Sequence, residues 1–391
     1  MATLLLAVIY SAFIGLGTPD SLFGAAWPAI YTEMRVPFAY GGIESAIVSL
    51  GTIFSSALST RVITRFGTNR VTAFSTLLTA AALVGYSFAQ SFVFLCLLAL
   101  PLGLGAGAID VALNNYVALH YSATQMSFLH CFYGIGVTIS PFVLSRVISG
   151  TGGWRMGYTV GACIQLGIAL FLFATLPLWE KVNGKEHPGG AGETIRLSLR
   201  ETLAVPGVKL MCCLFITTCA IECTVGNWSA TFLVEYKGLA ADTAASMLIF
   251  YYAGMAVGRL ISGVLAKRLS PWTIIGGGQC MLAAAIVLLF VPGGRFAAAA
   301  GLFCIGAGNG PMFPNFNYLA PQSFGRELSQ SVIGVQMAAA YIGIMLAPPL
   351  CGAVGQALGM GVFPVFLAVF FAVMLAATAA AKRLLCTRRQ K

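Results

Sequence analysis

Apolar residues run along this chain in stretches of about 20 or more with few charged side chains among them, the length an α-helix needs to cross the hydrocarbon core of a bilayer. Six such spans are predicted at about Leu4–Thr32, Gly41–Ile63, Val71–Ala89, Phe92–Leu119, Met126–Ser149 and Trp154–Leu178. Six more follow at about Val208–Val234, Thr243–Ala266, Thr273–Val291, Phe296–Ala320, Ser329–Ala357 and Gly361–Ala381. Between the two sets lies the one long polar stretch, Trp179–Pro206, with Glu180, Lys181, Lys185, Glu186 and the run Pro188-Gly189-Gly190. It reads as a cytoplasmic linker with a short surface helix around Thr194–Thr202. The first apolar run has no basic leader and is too long for a signal peptide, so it counts as the first span.

The expected organisation is an all-α integral membrane protein of twelve transmembrane helices. Residues 1–178 form one six-helix bundle, 179–207 the linker, and 208–391 a second bundle with a short basic tail. An internal repeat supports this division. A shift of 201 residues carries Trp27 onto Trp228, Gly105-Ala106-Gly107 onto Gly306-Ala307-Gly308 and Asn114 onto Asn315. One offset thus relates the first span to the seventh and the fourth to the tenth.

Composition changes the picture only by closing other routes. With 58% hydrophobic and 9% charged residues, against roughly a quarter charged in soluble domains, the chain cannot cover itself with a polar surface. The formal charge of +10 would suggest a nucleic-acid partner if it were clustered on one face of a soluble domain. Instead it alternates from loop to loop. With the N-terminus in the cytoplasm, 17 of the 22 Lys and Arg fall inside, Arg259 among them, and Arg35, Arg146, Arg155, Lys237 and Arg295 fall on or near the other side. That is the positive-inside pattern, which needs no nucleic acid and puts both termini in the cytoplasm. The 11 cysteines are scattered through apolar runs and read as packing residues, not as a disulfide framework or metal site.

Several motifs carry a resemblance. The first span holds Gly15-Leu16-Gly17-Thr18-Pro19-Asp20 with Trp27-Pro28. The fourth holds Gly103-Leu104-Gly105-Ala106-Gly107-Ala108-Ile109-Asp110 with Asn114, and the fifth Leu129-His130 with Gly134, Gly136 and Pro141. Together these resemble bacterial major facilitators near the fucose:proton symporter group. The resemblance implies the major facilitator fold, a cavity lined by spans 1, 4, 7 and 10, a bacterial inner-membrane location and a monomer. It also implies that the acid in the fourth span, Asp110, takes part in proton coupling and substrate binding. The superfamily's loop between spans 2 and 3 is degraded here to Thr60-x-x-x-Thr64-Arg65-x-Gly67-Thr68-Asn69-Arg70, without its acid, and a weaker echo, Gly263-x-x-x-Lys267-Arg268, follows span 8.

The candidate functional residues follow from cost. A charge at mid-membrane costs about 2.5–3.5 kcal/mol on insertion scales and usually serves a wet pathway. Of 12 acids, eight fall in loops or at span ends; Asp20, Glu44, Asp110 and Glu222 remain. Asp20, Asp110 and Glu222 are the candidates for proton coupling, with helix packing as the bland alternative for Asp20 and Glu222 and a gating pair with a basic residue near the cytoplasmic end for Asp110. Trp27 and Trp228 offer aromatic faces for a sugar ring, or else interfacial anchors. Asn114, Asn115, Asn227, Asn309, Asn315 and Asn317 offer amides to read hydroxyls. Glu44, His130, Arg65 and Arg259 are candidates for gating, Glu44 being expected near a solvated span end. No nucleophile constellation, metal motif or phosphate loop supports an enzyme, and no cofactor is expected. The reading is a secondary transporter that takes up a small polar solute, a sugar or sugar derivative, with protons. Sodium coupling stays open, and the rival is proton-driven efflux of an amphipathic compound.

Overall fold

The computed structural model describes residues 2–121, 123–148, 152–183, 198–291 and 294–388. Its regular elements are helical throughout. The first half comprises α1 (Ala2–Met34), α2 (Tyr40–Phe66), α3 (Thr68–Ser87), α4 (Phe92–His120), α5 (Ala123–Val147) and α6 (Gly153–Ala174). Two short helices, α7 (Leu176–Asn183) and α8 (Leu199–Ala204), lead into the second half. There α9 (Val208–Glu235), α10 (Ala241–Leu265), α11 (Pro271–Phe290), α12 (Arg295–Asn309), α13 (Met312–Phe324), α14 (Arg326–Leu358) and α15 (Phe363–Arg388) follow. Among the described residues, ten helical segments are long and apolar enough to span a membrane, with α12 and α13 counted as one. The other two rods, α2 and α3, have 27 and 20 residues, long enough to cross, but carry more Ser, Thr and Arg.

Local chemistry sets the ends of the helices. Ser91 and Ser270 cap α4 and α11 by accepting from the amides of Phe94 and Thr273 at 3.3 and 3.2 Å, satisfying donors that would otherwise be orphaned. Pro271 opens α11, where its missing N–H costs nothing. At the turn from α2 to α3 a single residue, Gly67 at φ +83°, reverses the chain. A side chain there would be strained. The linker helix expected around Thr194–Thr202 begins at Leu199, with a capping box between Ser198 and Glu201; the rest of that prediction lies outside the described residues. Two sequence expectations need correction. Trp179, assigned to the polar linker, is fully buried and packs on Tyr116 of α4. The tenth span is broken between α12 and α13, where Gly310-Pro311 interrupts a single rod.

Within each half, glycines bring helix backbones into direct apposition. A Cβ on Gly103 or Gly107 of α4 would collide with the Val48 or Thr52 carbonyl of α2, and one on Gly105 with Ser75 of α3. The second half repeats the device: Gly254 and Gly258 of α10 lie against the Phe303 and Ala307 carbonyls of α12, and Gly308 against Gly278 of α11. Buried amides then tie the outer helices. Gln165 of α6 donates to Thr79 of α3 at 2.6 Å, and Gln279 of α11 to Thr378 of α15 at 2.7 Å. Lipid gives little hydrophobic reason for helices to associate, so close packing and hydrogen bonds of about 0.6–2 kcal/mol carry that role.

The halves meet most closely on the face away from the termini. There the Tyr31 hydroxyl of α1 donates to Glu235 of α9, and Ser45 of α2 to Asn227 of α9 at 3.2 Å. Gly24 of α1 faces the Gly226 backbone of α9, Gly42 of α2 faces Pro349 of α14, and Phe38 meets the Trp228 ring edge-on. Midway through the membrane, the hydroxyls of Ser56 and Tyr341 approach to 3.5 Å and Gly134 of α5 lies against Ala256 of α10.

Glu44 also departs from expectation. It is 1% exposed inside the first bundle, not at a solvated end, and accepts a 2.5 Å hydrogen bond from Tyr86 of α3, whose ring stacks on Tyr158 of α6. Glu44→Leu leaves the Tyr86 hydroxyl unpaired and is expected to lower stability by about 1–3 kcal/mol. Glu44→Gln, which keeps an acceptor, is expected to lose much less, and Tyr86→Phe to rescue the leucine variant, all read from melting in detergent. At the interface of the halves, Gly24→Val is expected to wedge α1 from α9. Overpacking of about 1–3 kcal/mol would depopulate the closed far face by roughly 5- to 150-fold. Faster labelling of Ser45→Cys in a background cleared of native cysteines would report it.

Candidate functional site

Asp20 is far from either end of α1, yet it is exposed, whereas Thr18, Pro19 and Ser21 beside it are buried. A side chain open to solvent at that depth lines a water-accessible cleft. Toward the far face, the contacts just described bring α1 and α2 against α9 and α14. The Tyr133 hydroxyl of α5 donates to the Asp20 carboxylate at 2.8 Å. Glycines make this possible: a Cβ on Gly17 would meet the Tyr133 carbonyl and one on Gly136 the Ile14 carbonyl, so α1 and α5 run in backbone contact at this level. Next to Asp20, the Ser140 hydroxyl donates to the Thr18 carbonyl at 2.6 Å.

Asp110 is half-buried on α4 and close enough to Asp20 for the two charges to interact. It accepts from the Asn114 amide at 2.8 Å, and the same amide donates to the Asp110 carbonyl at 3.0 Å. One helical turn sets this pair, since residues i and i+4 share a face. Across the cleft, Tyr341 of α14 lies within electrostatic reach of Asp110.

The second half contributes an ion pair. Glu222, midway along α9, meets Arg259 of α10 at 3.3 Å, and Arg259 also donates to the Gly310 carbonyl at 3.4 Å. The Glu222 backbone carbonyl accepts from Tyr251 at 3.1 Å. Arg259 therefore lies within the predicted eighth span, paired with an acid of another helix. Its field reaches His130 and Cys131 on α5, so it bears on the other half directly. Tyr133 and Tyr252 each lie near both Asp20 and Glu222. The structure thus gathers Asp20, Asp110, Glu222, Arg259 and His130 around one cleft between the halves.

The other candidates lie elsewhere. Trp27 and Trp228 are 1% exposed, and their indole N–H groups donate to the carbonyls of Phe38 and Pro348 at 2.7 Å in both cases. Their rings cover Gly41 and Gly352. They are packing residues that lock helices together, and neither presents a face to a ligand. Asn227 joins the halves through Ser45. Asn315 is buried and donates to Pro311 and Ser262, the first of these repeating the turn that Asn114 makes on α4. Asn309 is buried and donates to the Thr218 carbonyl, while its own carbonyl oxygen, like that of Asn317, is buried without a partner. Arg65 is exposed at the end of α2 over the Phe66 ring, remote from the cleft in sequence and depth. The side chain of Asn115 lies outside the described residues. Sequence reasoning missed Tyr133, Tyr252 and Tyr341: tyrosines are common in apolar spans, and no spacing marks these three.

The comparisons agree with this architecture. The model of the Major Facilitator Superfamily matches residues 9–348. Among relatives, a Saccharomyces cerevisiae protein described as bypass of stop codon protein 6 is 23% identical, covering 90% of this chain and 77% of that protein. A cis,cis-muconate transport protein of Acinetobacter baylyi is 22% identical over 92% of this chain and 90% of its own. A putative glucose/galactose transporter of Helicobacter pylori is 29% identical, over 34% of this chain and 32% of its own. Among solved structures, a point mutant of the nucleoside transporter NupG superposes with a TM-score of 0.74 at 14% identity, covering 96% of this chain and 98% of that one. With its match spanning most of the sequence and its two helical halves enclosing a polar cleft, the chain belongs to the Major Facilitator Superfamily of membrane transporters, and is no enzyme.

Proposed function

We propose that this transporter takes up a small polar solute, a sugar or sugar derivative, together with protons. Asp20 holds the coupling proton, and Asp110 and Glu222 are its partners. The observation that carries the reading is Asp20 itself, a carboxyl in mid-membrane, open to the cleft and held by Tyr133 at 2.8 Å. An ionised group at that depth is costly to occlude. Taking up a proton removes the charge and lets the halves close over the cleft from the terminal side. Asp110 with Asn114, and the phenols of Tyr133 and Tyr252, offer donors and acceptors suited to hydroxyls, with aromatic edges beside them.

The relatives lend this reading a direction without fixing the substrate: a putative glucose/galactose transporter, a muconate transport protein and a nucleoside transporter all handle small polar or charged solutes. In the proposed cycle, solute and proton enter the cleft from one face, the halves rock about the α1–α9, α2–α14 and α5–α10 seams, and both leave at the other face.

The test is uptake of labelled sugars, amino acids, carboxylates and amphipathic cations into proteoliposomes with and without an acid gradient, in wild type and Asp20→Asn. Gradient-dependent accumulation of a sugar is expected, with at least a tenfold loss in Asp20→Asn while gradient-free exchange persists. Accumulation of cations against an acid interior would replace symport by efflux. Undiminished accumulation in Asp20→Asn would remove Asp20 from coupling.

A further inference from the structure

We infer that Tyr133 is a positioning residue that links the acid of the first half, Asp20, to the Glu222–Arg259 ion pair of the second. The inference rests on the reading of Asp20 as the proton-binding group. Tyr133 is placed where two seams cross. On one side, α5 is pressed against α1 at Gly17 and Gly136, which fixes the backbone that carries the phenol. On the other, the very next residue, Gly134, meets Ala256 of α10 at the contact between the halves, where a Cβ would come within 3.3 Å of its neighbour. The backbone that carries the phenol is therefore held by both seams.

Its hydroxyl has one hydrogen and two carboxylates nearby. It donates that hydrogen to Asp20 at 2.8 Å. Glu222, the other carboxylate, is within electrostatic reach of the same hydroxyl and is held by Arg259 at 3.3 Å, a long contact for an ion pair. A phenol can donate only once. When Asp20 is ionised, it claims the Tyr133 hydrogen, and Glu222 relies on Arg259. When Asp20 carries a proton from solvent, its own O–H can donate to the Tyr133 oxygen, which frees the phenol hydrogen from Asp20 and lets the hydroxyl dipole turn toward the field of Glu222, shifting the balance of the Glu222–Arg259 pair. No bond to carbon forms or breaks, and the only species exchanged with solvent is the proton on Asp20. The titratable groups whose charges act on this hydroxyl are Asp20 on α1, Glu222 on α9 and Tyr252 on α10; beyond them, Asp110 on α4 lies near Asp20, Cys223 on α9 near both acids, and His130 and Cys131 on α5 near Arg259 of α10. Among them, Tyr133 is the group bonded to the acid of one half while facing the acid of the other.

The experiment needs no substrate. Full-length protein in lipid is titrated with pH by infrared difference spectroscopy, and the carboxyl C=O band that disappears in Asp20→Asn gives the Asp20 midpoint. Four proteins are compared: wild type, Glu222→Gln, Tyr133→Phe and the double variant. Phenylalanine keeps the ring and its packing, and melting in detergent confirms the fold of each. Glu222→Gln is expected to move the midpoint when Tyr133 is present and to move it by less than half as much in the Tyr133→Phe background. That result would establish the link through the phenol. Equal shifts in both backgrounds, to within about 0.3 pH units, would mean that the two acids sense each other through space and that Tyr133 only packs. The Asp20→Asn uptake experiment is independent of this cycle. A transporter that loses coupling with Asp20 yet shows equal shifts would retain the proposed function and lose this inference.

Discussion

Everything in this protein depends on helices being able to approach within backbone contact in a solvent that gives them little reason to associate. Lipid tails are as apolar as the side chains they would replace, so burial alone does not pull one helix onto another. Glycine is the answer the sequence uses. On α4 successive glycines turn alternately toward α2 and α3, and on α12 Gly306 and Gly308 turn in the same way toward α10 and α11. Removing the Cβ brings carbonyls and Cα atoms of neighbouring helices together and multiplies short-range contacts that are individually worth only about 0.1–0.2 kcal/mol. The fully buried indoles of Trp27 and Trp228 follow the same logic, each lying over a glycine and giving its one donor to a neighbouring carbonyl.

That close packing is also what makes a polar cleft tolerable. Where α1 and α5 touch, Asp20 and Tyr133 are held in register; where α9 and α10 meet, Glu222 and Arg259 are. Each half carries a polar group that is partly satisfied within its own bundle and partly turned toward the other. At the centre, among the described residues, the halves are joined by the Ser56–Tyr341 approach and the Gly134–Ala256 contact. The stronger fixings lie toward the far face, at Tyr31–Glu235 and Ser45–Asn227. In the proposed cycle such packed surfaces would repack in discrete steps and not stretch continuously.

Much of the fold was legible in the sequence. Apolar run length gave the helical spans and their order, and the acids within those spans pointed to a region where Asp20 lies within electrostatic reach of Asp110, and Tyr133 within reach of both Asp20 and Glu222. What was not legible has physical reasons. Glu44 looked like a solvated end because run lengths do not show which residues near the start of a helix a neighbouring helix covers, and its partner Tyr86 lies 42 residues away. The tryptophans looked like ligand platforms because composition cannot tell a ring that faces a cavity from one that covers a glycine. The partner of Arg259 was hidden because a positive-inside census has no way to see a carboxylate on another helix. The phenols of Tyr133, Tyr252 and Tyr341 became significant only through their neighbours in space.

The outer end of α1 carries two polar side chains with opposite duties. Glu33 receives both the Trp154 indole and the Arg155 guanidinium of α6, and Arg155 also reaches the Ala89 carbonyl after α3, so this turn is bolted to its own half. Two residues earlier, Tyr31 reaches across to Glu235 of the other half. A permanent fastening and a releasable one therefore sit within a single helical turn. When the halves part, the hydroxyl can let go while the turn that carries it stays in place. The movement is then confined to a clean plane between two rigid bodies, and the same hydroxyl returns to the same carboxylate when the far face closes again.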